Sequence, residues 1–130
     1  MLRLKSCFVF VLLLLTGQVL ASPEFVSESF IRAAAAGDTA TAESFVYMQN
    51  TEAGVLTTLP IAKIVDVMVQ KAQAVSASKG GLTSIKTSQV TYIEEGKRAR
   101  AQIQLEFADG TRDSDSLRLV NIQGQWKVEI

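Results

Sequence analysis

The sequence of 130 residues contains no histidine and a single cysteine, Cys7. Without an imidazole the chain cannot assemble a Ser–His–Asp or Cys–His catalytic set, or a zinc site that depends on histidine. Cys7 lies in an N-terminal segment that has the features of a leader, so the residues after it can form no disulfide among themselves. We therefore predict no catalytic residue, no metal site and no cofactor.

The chain also has no excess of positive or negative charge, because 13 Lys and Arg residues balance 13 Asp and Glu residues. Two of the cations, Arg3 and Lys5, belong to the N-terminal segment, so the remainder carries 11 basic against 13 acidic residues. A nearly neutral domain gives no electrostatic reason to expect binding to nucleic acid or to an anionic membrane surface.

The N-terminal segment has the three parts of a secretory signal peptide. Two cations precede an uninterrupted apolar run, Cys7 to Leu15, and a small residue, Ala21, ends the segment. The run is too short to span a bilayer. We predict cleavage between Ala21 and Ser22 and a periplasmic or secreted protein. Because Ser22 is not a cysteine, no lipid is attached there and no stable membrane anchor is expected after cleavage.

The first half of the predicted domain, residues 22–130, should contain three helices. Ser22, Pro23 and Glu24 are typical of a helix start, and Gly37 of a helix end. Asp38 begins a short second helix that is expected to reach about Val46. The third helix opens at Pro60 after a loop, 49–59, in which Val55 and Leu56 either contact a partner or tuck under that helix. Its predicted apolar face consists of Ile61, Ile64, Val65, Met68, Ala72 and Val75.

After Gly81 the hydrophobic period changes from 3.6 to 2. One long bent strand is expected over 82–93, and the alternation of 99–107 predicts a second. Asp109-Gly110 is a hairpin signal, and strands over 112–120 and 125–130 follow it. The sequence therefore predicts a single α+β domain, with three helices on one face of a four-stranded antiparallel meander.

The order of these elements resembles the nuclear transport factor 2-like (NTF2-like) superfamily, and within it small bacterial envelope proteins with a domain of unknown function. The resemblance rests on Gly37-Asp38, Gly81-Leu82, the hairpin at Asp109-Gly110 and the segment Gly124-Gln125-Trp126-Lys127-Val128. It implies a curved sheet wrapped around the helices as a cone with an apolar pocket at its open end, and often a homodimer through the sheet. Some members of the superfamily are isomerases, cyclases or dehydratases, but no catalytic Asp or His of that kind aligns onto this chain.

Two sets of side chains are candidates for function. An apolar set could line a ligand pocket or could simply fill the core: Phe25, Phe30, Phe45, Tyr47, Met48 and Trp126. The carboxylates Asp109, Asp113 and Asp115 do not match the spacing of a calcium loop, and we expect Asp113 and Asp115 on the outer, solvent face of the sheet.

Acid–base chemistry would have to come from Tyr47, Tyr92 or Asp66, for which core or surface roles are expected. Without a catalytic set, the favoured hypothesis is an exported binding or accessory protein of the bacterial envelope, which holds a small apolar ligand or a protein partner. The alternatives are an immunity protein against a toxin delivered to the periplasm, and an isomerase- or cyclase-like enzyme.

Overall fold

The computed structural model describes residues 21–48 and 60–130. The leader with Cys7 and the loop with Val55 and Leu56 lie outside the described residues. The helices are α1 (Pro23–Ala36), α2 (Thr39–Ser44) and α3 (Ile61–Ser78). The strands are β1 (Val46–Tyr47), β2 (Leu82–Ile93), β3 (Arg98–Phe107), β4 (Arg112–Ile122) and β5 (Gln125–Glu129), with a 3₁₀ turn at Glu94–Gly96 between β2 and β3. The predicted α+β class is confirmed.

Helix α1 begins and ends where its capping residues predict. The Ser22 hydroxyl accepts a hydrogen bond from the backbone N–H of Phe25 at 3.1 Å, and Pro23 occupies the first helical position. At the other end Gly37 adopts a left-handed backbone with φ of 79°. A Cβ at this position would lie 2.6 Å from Nε2 of Gln73 on α3. The positive φ is what requires glycine here, because the Gln73 amide could rotate away from a Cβ.

The sheet has one strand more than the predicted four, because α2 ends at Ser44 instead of continuing to Val46. Val46 and Tyr47 form β1, which runs parallel to β5, and the backbone N–H of Val128 donates to the Phe45 carbonyl at 2.7 Å. The strand order is β1-β5-β4-β3-β2. A strand of two residues is too short to show an alternating pattern in the sequence. It can be recognised only from its pairing with β5.

The long strand β2 bends through two register shifts, between Leu82 and Ser84 and between Thr87 and Gln89. Next to the second shift, the Glu28 carboxylate of α1 accepts two hydrogen bonds from Thr87, one from the backbone N–H at 3.0 Å and one from the hydroxyl at 2.7 Å. This contact ties the first helix to the free edge of the sheet.

The two faces of the sheet differ in what they carry, and we call the face that contacts the helices the inner face. On β3, Ala99, Ala101 and Ile103 are at most 1% exposed, whereas the alternate residues Arg100 and Gln102 are exposed. The core is completed by side chains of α1, α3 and the neighbouring strands: Val26, Phe30, Val65, Val69, Leu119 and Val128. Burying a side chain such as Ile103 or Leu119 stabilises the fold by roughly 1.5–3 kcal/mol.

Helix α3 turns a slightly different face to the core from the one predicted. Val65 and Val69 are its buried apolar residues, while Val75 is 44% exposed. Within residues 21–48 and 60–130, no helix is long and apolar enough to cross a membrane.

Candidate functional site

A cleft of about 370 Å³ lies between α1, α3 and the inner face of β2, β3 and β4. Its walls are mainly apolar and come from all five of these elements: Phe30, Ile31, Ala34, Ala35, Met68, Ala72, Val75, Leu82, Leu105, Phe107 and Leu117. The cleft lies at the end of the sheet where β3 turns into β4.

The cleft exists because the two helices present small side chains towards each other at this end. Ala34 and Ala35 of α1 and Ala72 of α3 line it, and none of them reaches far enough to fill the space above Leu105. Closer to the middle of the sheet, larger residues such as Val65 and Val69 close the gap and are buried. The helix pair is therefore tightly packed at one end and open at the other.

The mouth of the cleft carries two carboxylates, and the prediction that Asp113 and Asp115 lie on the outer face is wrong. Asp113 pairs with Leu105 and Asp115 pairs with Ile103, so both residues share the inner face with these apolar side chains. Both also line the cleft. The apolar cleft thus ends in acceptors that could bind a hydrogen-bond donor or a cation.

The strand register explains why the expected face was the opposite one. A two-residue turn centred on Asp109-Gly110 would place Arg112 opposite Phe107, whereas Arg112 pairs with Glu106. The hairpin loop is one residue longer than that turn, and a shift of one residue moves every side chain of the strand to the other face. Leu117 and Leu119 alternate in step with the two aspartates, so all four residues share one face of β4. These apolar leucines were the feature of the sequence that indicated the inner face.

One of these carboxylates is held by a lysine at the end of α3. The Lys79 ammonium lies 3.4 Å from the Asp113 carboxylate and 4.9 Å from the centroid of the Phe107 ring. Among the described residues no cation lies within 4 Å of Asp115, and Lys71 is the one cation that lines the cleft. The Oδ1 atom of Asp115 accepts a hydrogen bond from the backbone N–H of Ser116 at 2.8 Å, which leaves Oδ2 as the acceptor for a ligand.

The residues predicted to line a pocket do not meet in one place. Phe30 is buried in the wall of the cleft, whereas Phe45 and Trp126 line a smaller hollow of about 160 Å³ near the start of α1. Tyr47 on β1 and Met48 after it are half-buried and line neither space. Sequence reasoning missed most of the cleft because its walls come from residues that alternate or repeat like ordinary core residues.

The groups considered for acid–base chemistry lie outside the cleft. The Tyr92 and Trp126 rings are 6.0 Å apart between centroids. The Asp66 carboxylate accepts hydrogen bonds from Gln70 at 2.9 Å and from the Thr39 hydroxyl at 3.4 Å. Among the described residues there is also no group of three side chains that could hold a metal ion.

In the part of the chain that the structure describes, three charged groups have shifted pKa values, and each shift has a structural cause. The hydroxyl and backbone N–H of Thr41 lower the pKa of Asp38, the N-cap of α2. The hydroxyl and backbone N–H of Thr111 likewise lower the pKa of Asp109 in the hairpin. The Glu94 and Glu129 carboxylates raise the pKa of Arg98. Asp38 caps a helix, Asp109 lies in a turn and Arg98 begins a strand, and none of the three lines the cleft.

Comparison with known families agrees with this architecture. Residues 17–129 match the family described as Domain of unknown function (DUF4878). The chain belongs to this family. The match extends over all the elements of the DUF4878 domain described above, from α1 to β5. No curated protein matches the sequence.

The fold is shown by a solved NTF2-like structure. A candidate NTF2-like transpeptidase from Campylobacter jejuni superposes with a TM-score of 0.66 at 16% identity, over 80% of this chain and 94% of that one. Two NTF2-like proteins of unknown function, from Shewanella baltica and Shewanella oneidensis, each give a TM-score of 0.46. Their identities are 17% and 10%; each match covers 79% of this chain, and 82% and 88% of the respective relatives. The DUF4878 chain therefore has an NTF2-like fold, as its sequence predicts.

Proposed function

We propose that this chain is an exported, non-catalytic binding protein that holds a small, mainly apolar ligand in the cleft between α1, α3 and the sheet. The observation that carries the proposal is the cleft itself, about 370 Å³ with apolar walls. Pockets for small molecules usually have volumes of roughly 300–1,000 Å³ and apolar walls with a few polar groups. This cleft lies near the lower end of that range, which suits a ligand of modest size.

The polar groups at the mouth of the cleft indicate which chemical group the ligand carries at its polar end. Asp115 offers a carboxylate on the inner face, and Asp113 offers a second one that is shared with Lys79. A ligand that places an apolar body against Phe30 and Met68 and a donor group near Asp115 would use both parts of the site. Apolar surface supplies most of the binding free energy, and the carboxylate fixes the orientation.

Binding is favoured over acyl transfer by the groups that the cleft contains. Its hydroxyls belong to Ser76 and Ser114, and its one amine belongs to Lys71. No hydrogen bond joins Lys71 to either serine, which activation of a serine nucleophile would require. The name of the Campylobacter protein therefore gives no reason to propose a transpeptidase here.

The export part of the proposal rests on the leader. A cationic start, an apolar run and Ala21 at the expected cleavage position support secretion. Mass spectrometry of the protein from the envelope fraction should find Ser22 as the first residue. An intact leader on the exported protein would contradict this part and would leave the cleft proposal standing.

A cavity-filling substitution tests the cleft. The neutral dye N-phenyl-1-naphthylamine, which fluoresces in apolar surroundings, should bind the purified protein, and Ala72→Phe should abolish the signal by occupying the cleft. Ala77→Phe adds the same ring to an exposed position of α3 and is the matched control. Equal dye binding by the Ala72→Phe variant and the unchanged protein would overturn the proposal, provided that circular dichroism shows both to be folded.

A further inference from the structure

The overall charge of the chain conceals an uneven distribution between the two faces of the sheet. The outward positions of β2, β3 and β4 carry five cations: Lys86, Arg98, Arg100, Arg112 and Arg118. At the outward positions of these three strands the one carboxylate is Glu106, which lies 3.5 Å from Arg112. Arg98 pairs with Glu94 at 3.0 Å and with Glu129 at 3.1 Å, so among the described residues Lys86, Arg100 and Arg118 are the cations of this face with no carboxylate within 4 Å. We call this surface the basic outer face. The chain as a whole has equal numbers of acidic and basic residues, so the remaining surface is correspondingly less positive.

At the centre of the basic outer face two arginines stand directly opposite each other. Arg100 on β3 pairs with Arg118 on β4, and both side chains are exposed. Directly opposed residues have Cβ atoms about 5 Å apart, and like charges at that distance destabilise a sheet. Among the described residues neither guanidinium has a carboxylate within 4 Å. The pair therefore costs stability in the folded protein and attracts an anionic group from outside.

The same face has a concave region beside this pair. A trough of about 550 Å³ runs over β2, β3 and β4. Its lining includes the cations Lys86 and Arg112 and the carboxylates Glu106 and Asp113, and it is completed by Ser84, Gln104, Leu105 and Ser114. Gln102 and Ser116, which pair with each other, lie between the trough and the two arginines. Arg112 already pairs with Glu106 at 3.5 Å, so Lys86, with the neutral groups between it and the arginine pair, is the part of the trough open to an acidic partner.

We propose that the basic outer face is a docking surface for an acidic segment of a partner polypeptide. Carboxylates of the partner would pair with Arg100 and Arg118, and neighbouring acidic or polar groups would lie in the trough near Lys86. The complementary charge speeds association and selects the partner. This surface lies on the opposite side of the sheet from the ligand cleft, so the proposal does not depend on the proposed function.

Three other occupants fit the face less well. A second copy of this chain docked through the same face would bring its own arginine pair against this one. A membrane would need exposed apolar anchors, but the large apolar residues exposed in the described part of the chain are Phe25, Val67, Val75, Tyr92 and Ile93, and only Ile93 lies on this face. Single-stranded nucleic acid would need aromatic side chains for stacking, and the outward positions named above are all non-aromatic.

The test uses a charge reversal that leaves the fold intact. Arg118→Glu removes one cation and supplies Arg100 with a carboxylate partner, so the sheet should remain folded. Lys63→Glu makes the same change in net charge on the exposed side of α3 and is the matched control. The probe is a short fluorescein-labelled peptide of alternating glutamate and serine, and binding is followed by fluorescence anisotropy at low salt.

The proposal predicts that Arg118→Glu weakens peptide binding by about fivefold or more, the scale of two exposed ion pairs, while Lys63→Glu has little effect. Amide NMR shifts caused by the peptide should be concentrated on β3 and β4. Equal losses in the two variants would overturn the proposal, because net charge alone would then explain the attraction. Tighter binding to phosphatidylglycerol vesicles or to an oligonucleotide than to the peptide would also overturn it, in favour of a membrane or a nucleic acid.

Discussion

The Lys79 ammonium contacts the Asp113 carboxylate at 3.4 Å and the face of the Phe107 ring at 4.9 Å from its centroid. Lys79 follows the last residue of α3, Phe107 ends β3 and Asp113 lies near the start of β4. One side chain therefore joins a helix end to both strands of the hairpin beside the cleft. This contact holds the mouth of the cleft in shape.

Removing that side chain should loosen the hairpin end of the fold. We expect Lys79→Ala to lower the free energy of unfolding by about 1 kcal/mol, as an ion pair and a cation–π contact at a partly exposed site are lost. Urea denaturation measures the change. Lys63→Ala, on the exposed side of α3, should change stability by less than about 0.5 kcal/mol. Equal losses in the two variants would show that Lys79 makes no contact of consequence.

The contact between Glu28 and Thr87 gives a second prediction. Thr87→Val keeps the branched shape but removes the hydroxyl that donates to Glu28 at 2.7 Å. Since a hydrogen bond to a charged group contributes about 1.5–3 kcal/mol, we expect a loss near the lower end of that range. Thr91→Val on the same strand is the control, because Thr91 is exposed. If thermal denaturation gives the same stability for both variants, α1 is not held through this contact.

Acid should destabilise the fold in a defined pH range. The lowered pKa values of Asp38 and Asp109 mean that the unfolded chain takes up protons at these sites at a higher pH than the folded chain does. The stability they contribute is complete above the unfolded value of about 3.9 and is lost as the pH falls through the lower folded values. Melting temperatures measured across this range should therefore fall.

Asparagine variants isolate the titration from the hydrogen bonds. Asn keeps an acceptor for Thr41 or Thr111 but carries no proton-dependent charge. In the double variant Asp38→Asn, Asp109→Asn the melting temperature should therefore fall less steeply as the pH is lowered. If the melting temperature of the double variant falls as steeply with acid as that of the unchanged protein, other carboxylates cause the acid destabilisation.

The arginine pair predicts a substitution that stabilises the fold. Arg118→Glu replaces a repulsive cross-strand pair with an attractive one, so the free energy of unfolding should rise by about 0.2–1 kcal/mol. Arg112→Glu is the comparison on the same strand, because Arg112 pairs with Glu106 and reversal there creates a like-charge pair. Chemical denaturation should order the proteins with Arg118→Glu above the unchanged chain and Arg112→Glu below it. The reverse order would show that Arg100 and Arg118 point away from each other.

Local signals in the sequence were sufficient for most of the helix and strand positions. Ser22, Pro23 and Gly37 mark the ends of α1, and the alternation of Ala99, Ala101 and Ile103 identifies the inner face of β3. These features depend on neighbouring residues only. The NTF2-like architecture followed from their order along the chain.

The cleft could not be predicted in the same way, since it depends on contacts between distant elements. Ala34 and Ala72 look like ordinary helix residues, and only the packing of α1 against α3 leaves space between them. The face on which Asp113 lies depends on the length of one hairpin loop. The strand formed by Val46 and Tyr47 depends on β5, which is more than seventy residues away.

The pairing of Glu28 with Thr87 has a consequence for the solubility of the folded protein. Strand β2 is twelve residues long and lies at the edge of the sheet, where unpaired backbone groups invite other strands to join. The Glu28 carboxylate occupies the backbone N–H of Thr87 in the middle of that edge, and the two register shifts distort the strand on either side. The contact that anchors α1 thus also removes one backbone donor that another strand would need in order to pair along β2.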